Sequence, residues 1–347
     1  MLSMIRSWLS AGKPSATERL SFDDGLPHSL QADGLALDLS PYWIIEDGLP
    51  TLDWRSLALQ IERRPESEHA QLLAEAQIVW MAHLGAALGT GYAVCKRGRT
   101  LLLCSYSTRL ASAVLGFVET TRARIGGILE ELAQVPPWGH DILIVFDEAD
   151  AYYRYIARYY EDEGEFAQSG GIYVNAGCGH FATTSSDGDL GSVEPVIAHE
   201  LTHALLSHLP IPAWLNEGLA VNCEERLCPP GGALYTPTEM RAKHVAFWNP
   251  STIQEFWSGS SFLRTDDGNM LSYDLAKTIA SQLGHDWVTF KQFVLSADLI
   301  DGGQGAAIDH FGMDLGLAAV TLVGKEFDDQ WSPQPEKWGQ EPERGAF

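Results

Sequence analysis

The stretch Val196-Ile-Ala-His-Glu-Leu-Thr-His-Ala-Leu205 carries two histidines four residues apart, His199 and His203, and Glu200 follows the first of them. Side chains four residues apart project from the same face of an α-helix, and the adjacent side chain is rotated by about 100°. The spacing therefore predicts a helix that directs two imidazoles at one point, with a carboxylate beside it. The apolar residues of the stretch keep the spacing of a buried helix; they are Ile197, Leu201, Ala204 and Leu205.

A second motif supplies another carboxylate. In Trp214-Leu-Asn-Glu-Gly-Leu-Ala220, Glu217 follows His203 after 13 intervening residues. This length is enough for the first helix to end, for the chain to turn, and for a second helix to return a carboxylate to the histidines. Pro210 and Pro212 favour such a turn, because proline stops one helix and opens the next.

Two imidazoles and one carboxylate are a usual ligand set of catalytic zinc, which keeps a fourth position for water. We therefore predict one zinc ion per chain, held by His199, His203 and Glu217. Gly218 directly follows the glutamate and removes a side chain where two helices and a metal crowd together. The structural alternative is that the histidines are hydrogen-bonded residues of an apolar core and that the glutamate is a surface carboxylate.

The two motifs together resemble the gluzincin metallopeptidases. His199-Glu-Leu-Thr-His203 is similar to the zinc helix of these enzymes, and Trp214–Ala220 is especially similar to the glutamate motif of the aminopeptidase N-like members. The resemblance implies an α+β, zincin-like metallopeptidase domain: a small mixed sheet with an edge strand, the zinc helix and a helical C-terminal half. It also implies a zinc metallopeptidase in which Glu200 is the general base. Minimal, single-unit gluzincins are the closer overall comparison.

A third segment extends the resemblance. Leu271-Ser-Tyr-Asp-Leu-Ala276 is similar to the segment in which these enzymes carry a tyrosine that hydrogen-bonds the tetrahedral intermediate, and Tyr273 lies 56 positions beyond Glu217. On this resemblance Tyr273 donates to the developing oxyanion. The alternative is a core tyrosine at the start of an amphipathic helix, and Tyr235, in a loop rich in glycine and proline, is the substitute candidate.

The region upstream of the zinc helix departs from the aminopeptidases. Those enzymes carry a Gly-x-Met-Glu-Asn signature whose glutamate holds the free amine of the substrate, and nothing in this sequence matches it. The expected place is taken by Gly170, Gly171, Ile172 and Tyr173, which offer no carboxylate, so aminopeptidase specificity is not implied. We predict that these four residues bind the substrate as an edge strand, because an extended peptide adds to a sheet edge through backbone hydrogen bonds.

The predicted reaction is the hydrolysis of a peptide or protein substrate. Zinc lowers the pKa of its bound water, and Glu200 takes the proton from that water and returns it to the leaving amine. Two other function classes stay open. One is a zinc-bound module that binds a peptide without cleaving it, or that is autoinhibited. The other is a zinc hydrolase of non-peptide substrates.

Composition limits the partners and the compartment. The formal net charge of −23 over 347 residues argues against binding to nucleic acids or anionic membranes, which need clustered lysine and arginine. The sequence contains no apolar run of membrane-spanning length and no apolar leader segment at its start. The 5 cysteines form neither a disulfide framework nor a Cys-x-x-Cys pair, so we expect a cytoplasmic protein. The oligomeric state does not follow from the sequence.

The chain divides into three predicted regions. Residues 1–90 form an accessory N-terminal region, mostly helical after about residue 52. Residues 91–330 form the zincin-like domain, which begins after the break at Gly89-Thr-Gly91 with a hairpin predicted over residues 92–104. Residues 331–347, rich in proline, glutamate and glycine, are predicted to be a disordered tail.

Overall fold

The computed structural model describes residues 16–22, 25–32, 35–137, 139–159, 171–174, 176–184, 190–232 and 234–339. These residues form two compact units that interleave along the sequence. The first unit takes its described residues from Met1–Glu119, Pro137–Arg158 and Gly177–Gly188, and the second takes its own from Thr120–Pro136, Tyr159–Ala176 and Asp189–Phe347.

The first unit contains most of the strands. Its elements are β1 (Glu18–Arg19), β2 (Ser29–Ala32), β3 (Leu35–Asp38), β4 (Trp43–Glu46), β5 (Leu49–Leu52), α1 (Trp54–Ile61), α2 (Glu66–Leu88), β6 (Ala93–Arg97), β7 (Thr100–Cys104), the first part of α3 (Thr108–Leu129), β8 (Asp141–Phe146), α4 (Ala149–Ile156) and β10 (His180–Thr184). Strands β2 and β3 form one antiparallel pair, and β4 and β5 form another.

A mixed sheet is the centre of the first unit. Strands β6 and β7 form the predicted hairpin, and β1 pairs antiparallel with β6. Strand β8 lies parallel to β7 on one side and to β10 on the other. Parallel strands are covered on both faces and read as continuous apolar runs. This explains Leu101-Leu-Leu103 and Ile142-Leu-Ile-Val-Phe146, whose side chains are all buried.

The second unit is helical apart from β9 (Gly171–Val174), which is its one strand among the described residues. Its helices are the end of α3, α5 (Leu190–Leu206), α6 (Ala213–Leu227), α7 (Pro237–Phe247), α8 (Thr252–Ser258), α9 (Asp267–Leu283), α10 (Trp287–Ser296), α11 (Gln304–Phe311) and α12 (Leu315–Val323). Short 3-10 turns at Glu130–Leu132, Ser260–Leu263, Asp329–Trp331 and Pro335–Lys337 complete it. The predicted helical C-terminal half is therefore confirmed.

Helices α5 and α6 are the two helices that the motifs predicted. Helix α5 begins at Leu190 and ends at Leu206, and Pro195 lies inside it. Pro212 is the N-terminal capping residue of α6, as expected for a proline that cannot donate to a preceding turn. The chain between the helices is short, so the two motifs pack against each other.

Helix α9 packs so closely against α6 that its backbone lies beside Gly218. A Cβ atom added at Gly218 would lie 2.5 Å from the carbonyl oxygen of Ala276 and 3.0 Å from the Cβ of Ala280. Any side chain at position 218 would therefore force the two helices apart. Close helix packing at this glycine was predicted, and the helix that approaches it is α9. The metal expected beside it stays a prediction.

The C-terminal prediction needs correction. Residues 331–339 are ordered, because Trp331 is buried and its carbonyl oxygen accepts a hydrogen bond of 2.8 Å from Trp257 Nε1. Gln254 Oε1 accepts hydrogen bonds from the backbone N–H of Gln334 and from Trp338 Nε1. Trp331 and Trp338 hold this segment in place, although its proline and glutamate content is typical of a disordered tail. The rest of the predicted tail, 340–347, lies outside the described residues.

The compact units also differ from the predicted boundary near residue 90. Strand β7 pairs with β6 and, across the long helix that follows it, with β8. Residues on both sides of position 90 belong to the first unit. The fold is mixed α/β, with a mixed sheet and many helices. No single described helix has the length and apolarity to cross a membrane; α11 and α12 meet that test only as a pair bent by 90°.

Candidate metal centre

Helices α5 and α6 bring together the three predicted ligands in the second unit. Glu217 Oε2 lies 3.2 Å from His199 Nε2 and 3.4 Å from His203 Nε2. The three candidate ligand atoms all lie within 4.8 Å of one another. The two imidazole rings are 4.7 Å apart and inclined at 74°, so their Nε2 atoms converge without stacking. The four-residue spacing of His199 and His203 on α5 produces this convergence.

The spacing of these atoms fits a small ion. Metal–ligand distances of about 2.0–2.1 Å in a tetrahedron place neighbouring ligand atoms about 3.3–3.4 Å apart. The two nitrogen–oxygen distances of 3.2 and 3.4 Å agree with that value. His199, His203 and Glu217 form the group that could hold a metal ion in the described part of the chain.

The other ring nitrogen of each histidine is held by a hydrogen bond. His199 Nδ1 lies 3.0 Å from Glu224 Oε2, and His203 Nδ1 lies 3.1 Å from Asn216 Oδ1. An oxygen can only accept here, so Nδ1 of each ring donates and Nε2 of a neutral ring keeps its lone pair. Metal-binding histidines commonly have this arrangement, because the outer hydrogen bond fixes the tautomer and the ring orientation.

Electrostatics couple the three groups. Burial lowers the pKa of His199, but hydrogen bonds to Glu217 and Glu224 outweigh it and hold the pKa well above its ordinary value. The pKa of His203 is also raised, since the charge of Glu217 outweighs burial. Burial by itself would raise the pKa of Glu217, yet the imidazoles bring it far below its usual range. The carboxylate is thus ionised, which metal binding requires.

Glu200 lies beside the ligands in a buried position. Its side chain is on the same helix as both histidines, and the residue is 6 % exposed. Burial raises its pKa, and it accepts a hydrogen bond from the backbone N–H of Tyr173 in β9. A carboxylate whose pKa is raised towards neutrality is suited to proton transfer.

Tyr273 is also close to the group. Its ring lies 6.2 Å from the ring of His199, centroid to centroid, and the ring of Phe262 contacts it edge-on at 5.1 Å. The residue is only partly buried, which differs from an ordinary core tyrosine. The substitute candidate Tyr235 instead packs under the ammonium group of Lys243, at 4.7 Å.

The predicted substrate strand is present in part. Gly171, Ile172 and Tyr173 lie in β9 and are partly exposed. The first residue of the predicted set, Gly170, lies outside the described residues. Strand β9 packs against α5, the helix that carries Glu200. The role of these residues in substrate binding stays a prediction.

Cys178 and His180 have hydrogen-bond partners within the first unit. His180 Nδ1 donates to the carbonyl oxygen of Cys178 at 2.7 Å, and His180 Nε2 accepts from the hydroxyl of Tyr155 at 2.7 Å. Cys178 Sγ accepts a hydrogen bond from Gln77 Nε2 at 3.2 Å. Burial lowers the pKa of His180 to about 4 and raises the pKa of Cys178 to about 12. They are therefore core residues.

Glu224 is the site residue that the sequence reasoning missed. It lies seven positions after Glu217 and so on the same face of α6, two turns further along. That spacing was a usable signal. Glu225 stands next to it, however, and only the packing of α6 against α5 shows which of the two meets His199.

Comparison of the chain with protein-family models, curated protein sequences and solved structures gave no match.

Proposed function

We propose that the chain is a zinc-dependent metallopeptidase with a gluzincin-like site and a zincin-like α+β fold. His199, His203 and Glu217 would hold the zinc, Glu200 would be the general base and Tyr273 would donate to the oxyanion. The supporting observation is the arrangement of the two histidines. Both Nδ1 atoms are held by outer hydrogen bonds, and both Nε2 atoms converge on one carboxylate oxygen.

The donor set favours zinc. Calcium and magnesium prefer six or more oxygen ligands, or several waters, and neither takes two imidazoles readily. Two nitrogens and one carboxylate oxygen are typical of catalytic zinc, with the fourth position left for water. Several other divalent ions bind imidazole, but zinc has no redox chemistry, as suits a hydrolase.

The chain's own groups can perform the proton transfers. Bound zinc would supply a water of lowered pKa and polarise the substrate carbonyl. Glu200 would accept the proton of that water on a carboxylate oxygen and pass it to the leaving nitrogen, and its raised pKa suits both steps. The hydroxyl of Tyr273 would donate a hydrogen bond as negative charge develops on the carbonyl oxygen.

Strand β9 supports a peptide substrate over a small molecule. Residues Gly171–Tyr173 are partly exposed, and the hydrogen bond from Tyr173 N–H to Glu200 brings the strand next to the proposed base. A peptide bound in extended form would have its backbone held by such a strand. If the protein cleaves only small esters, this part of the proposal is wrong.

The test is metal analysis and peptide cleavage on the same samples. Wild type, Glu200→Gln and the control Glu194→Gln would be incubated with a pooled peptide library and read by mass spectrometry. Glu194 is a partly buried glutamate on the same helix and is not among the proposed site residues. We expect about one zinc per chain in all three proteins, with cleavage by wild type and Glu194→Gln and none by Glu200→Gln.

Other outcomes identify the alternatives. Zinc in every protein with cleavage by none would favour a peptide-binding or autoinhibited protein. Cleavage that survives Glu200→Gln would remove Glu200 from the role of base. A wild type that binds no zinc would overturn the proposal.

A further inference from the structure

A hydrogen-bonded network next to Tyr273 links three helices of the second unit. Tyr273 lies on α9, whereas the proposed ligands lie on α5 and α6. The distance between the phenol and the ligands therefore depends on how α9 is held. Residues beside Tyr273 that fix α9 would determine whether its hydroxyl reaches the reacting carbonyl.

Asp274, the next residue along α9, is tied to α7. Its Oδ2 atom lies 2.9 Å from His244 Nε2, and His244 Nδ1 lies 2.8 Å from Trp248 Nε1. An indole N–H can only donate, so His244 Nδ1 accepts and His244 Nε2 carries the proton that it donates to Asp274. The donor and the acceptor of both hydrogen bonds are therefore defined. His244 and Trp248 are 7 % and 1 % exposed, so water hardly competes with these bonds.

Lys277, one turn further along α9, continues the network to α6. Its ammonium group lies 3.2 Å from Asp274 Oδ1 and 3.0 Å from Glu225 Oε1. Asn222 Nδ2 donates to the carbonyl oxygens of Gly218 and Lys277, at 2.7 and 3.0 Å. Gly218 directly follows the proposed ligand Glu217, so the network connects the ligand helix to the helix that carries Tyr273.

We propose that His244 and Asp274 are positioning residues, which hold α9 so that Tyr273 lies at a fixed place beside the metal ligands. The proposal rests on the proposed function. The two residues act through the helix, by holding α9 against α7. Misplacement of a reacting group by about 1 Å can reduce a rate by roughly a hundredfold, so a network of this kind would affect catalysis without taking part in it.

The first readout needs no catalysis. Protein labelled with 3-fluorotyrosine and loaded with Co²⁺ in place of zinc would be observed by ¹⁹F NMR, and the Tyr273 resonance would be assigned from Tyr273→Phe. A paramagnetic ion shifts nearby resonances according to their distance and direction. We expect a Co²⁺-induced shift for Tyr273 in wild type, its loss or clear change in His244→Phe and Asp274→Ala, and its retention in His244→Gln, whose amide can both accept and donate.

The second readout is kinetic, on a peptide that the wild type cleaves. We expect His244→Phe to lower kcat roughly 10- to 100-fold with little change in KM and with the metal retained, and His244→Gln to recover most of the loss. The matched control is Gln304→Leu. Gln304 makes two hydrogen bonds to Asp314 and Leu315 in the same unit, outside the network, so its loss tests destabilisation alone.

Each outcome has a defined meaning. An unchanged Tyr273 shift and kcat in both His244→Phe and Asp274→Ala, with stability lowered as in Gln304→Leu, would overturn the proposal and leave a purely structural network. Co²⁺ that binds without shifting Tyr273 in wild type would overturn it as well. Failure of wild type to bind any metal would instead refute the proposed function itself, and the positioning proposal with it.

Discussion

His180, on the one hand, and the pair His199 and His203, on the other, have surroundings that differ in one decisive way. His180, in the first unit, has one ring nitrogen bonded to a carbonyl and the other to a tyrosine hydroxyl, so both nitrogens are used within the core. His199 and His203, in the second unit, each have Nδ1 held by an outer partner while Nε2 is directed at a shared carboxylate. The partner of the second ring nitrogen therefore distinguishes the two cases.

The pKa values of these histidines are also shifted in opposite directions. Burial, together with the positive charge of Arg158, lowers the pKa of His180 to about 4, whereas Glu217 and its neighbours raise the pKa of His199 and His203. The surroundings of His180 therefore favour the neutral imidazole. A histidine in a metal site is surrounded by carboxylates that the ion would balance.

The largest expected effect comes from removing a ligand. We expect His199→Ala and His203→Ala to lose stoichiometric zinc and all detectable peptidase activity, because two ligands do not hold the ion. His180→Ala should keep zinc but destabilise the protein by about 2–4 kcal/mol, as a buried side chain and two hydrogen bonds are lost. Zinc analysis and thermal unfolding of the three variants would check this. Zinc loss from His180→Ala would erase the distinction between the two cases.

The second effect concerns the base alone. Glu200→Gln should lower kcat by roughly 10²- to 10⁴-fold while zinc content stays near that of wild type, because the amide cannot accept the proton of the water. Steady-state kinetics and metal analysis on the same preparation would measure it. Retained activity would place the base elsewhere.

The third effect is a dependence of stability on pH that belongs to His180. Its pKa is lowered from the ordinary 6.5 to about 4 in the folded protein, so the unfolded chain binds the extra proton between these values. Stability contributed by neutral His180 is therefore complete above about pH 6.5 and lost as the pH falls towards 4, by roughly 3 kcal/mol.

The measurement is the free energy of unfolding of wild type minus that of His180→Gln, from pH 7 to pH 4. Subtraction removes the contribution of all other titrating groups. A difference that stays constant with pH would show that His180 is not held neutral by its surroundings.

The smallest effect concerns the outer partner of His199. Glu224→Ala should weaken zinc binding by roughly 10- to 100-fold, since the ring loses the bond that fixes its tautomer and direction. Glu225→Ala is the control, because Glu225 pairs with Lys277 and not with a histidine. Competition titration with a chelator gives both affinities. Equal affinities for the two variants would show that the Glu224 bond has no part in holding the metal.

The sequence predicted that His199, His203 and Glu217 would lie together, because the geometry that brings them together is local. Two histidines on one helix face, a turn marked by prolines, and a glutamate on the next helix are short-range features, and helical periodicity sets their directions. Gly218 was predicted to allow close packing for the same reason. Which helix would approach it, α9, depends on contacts with residues about 60 positions away, which no local pattern shows.

Longer-range features were harder to predict. The interleaved units arise from pairing of β7 with β8 and of β8 with β10, across helices that separate them in sequence. The segment at 331–339 has the composition of a disordered tail, yet Trp331 and Trp338 bind it to the second unit. Large aromatic residues in a proline-rich segment were a signal that average composition hides.

The first experiment to do is a measurement of the zinc content of the protein as purified, combined with X-ray absorption at the zinc edge. We expect close to one zinc per chain, with a first coordination shell of two imidazole nitrogens and oxygen ligands at about 2.0–2.1 Å, and no zinc in a His199→Ala/His203→Ala double variant. A wild-type protein that neither contains zinc nor takes it up would contradict the central claim.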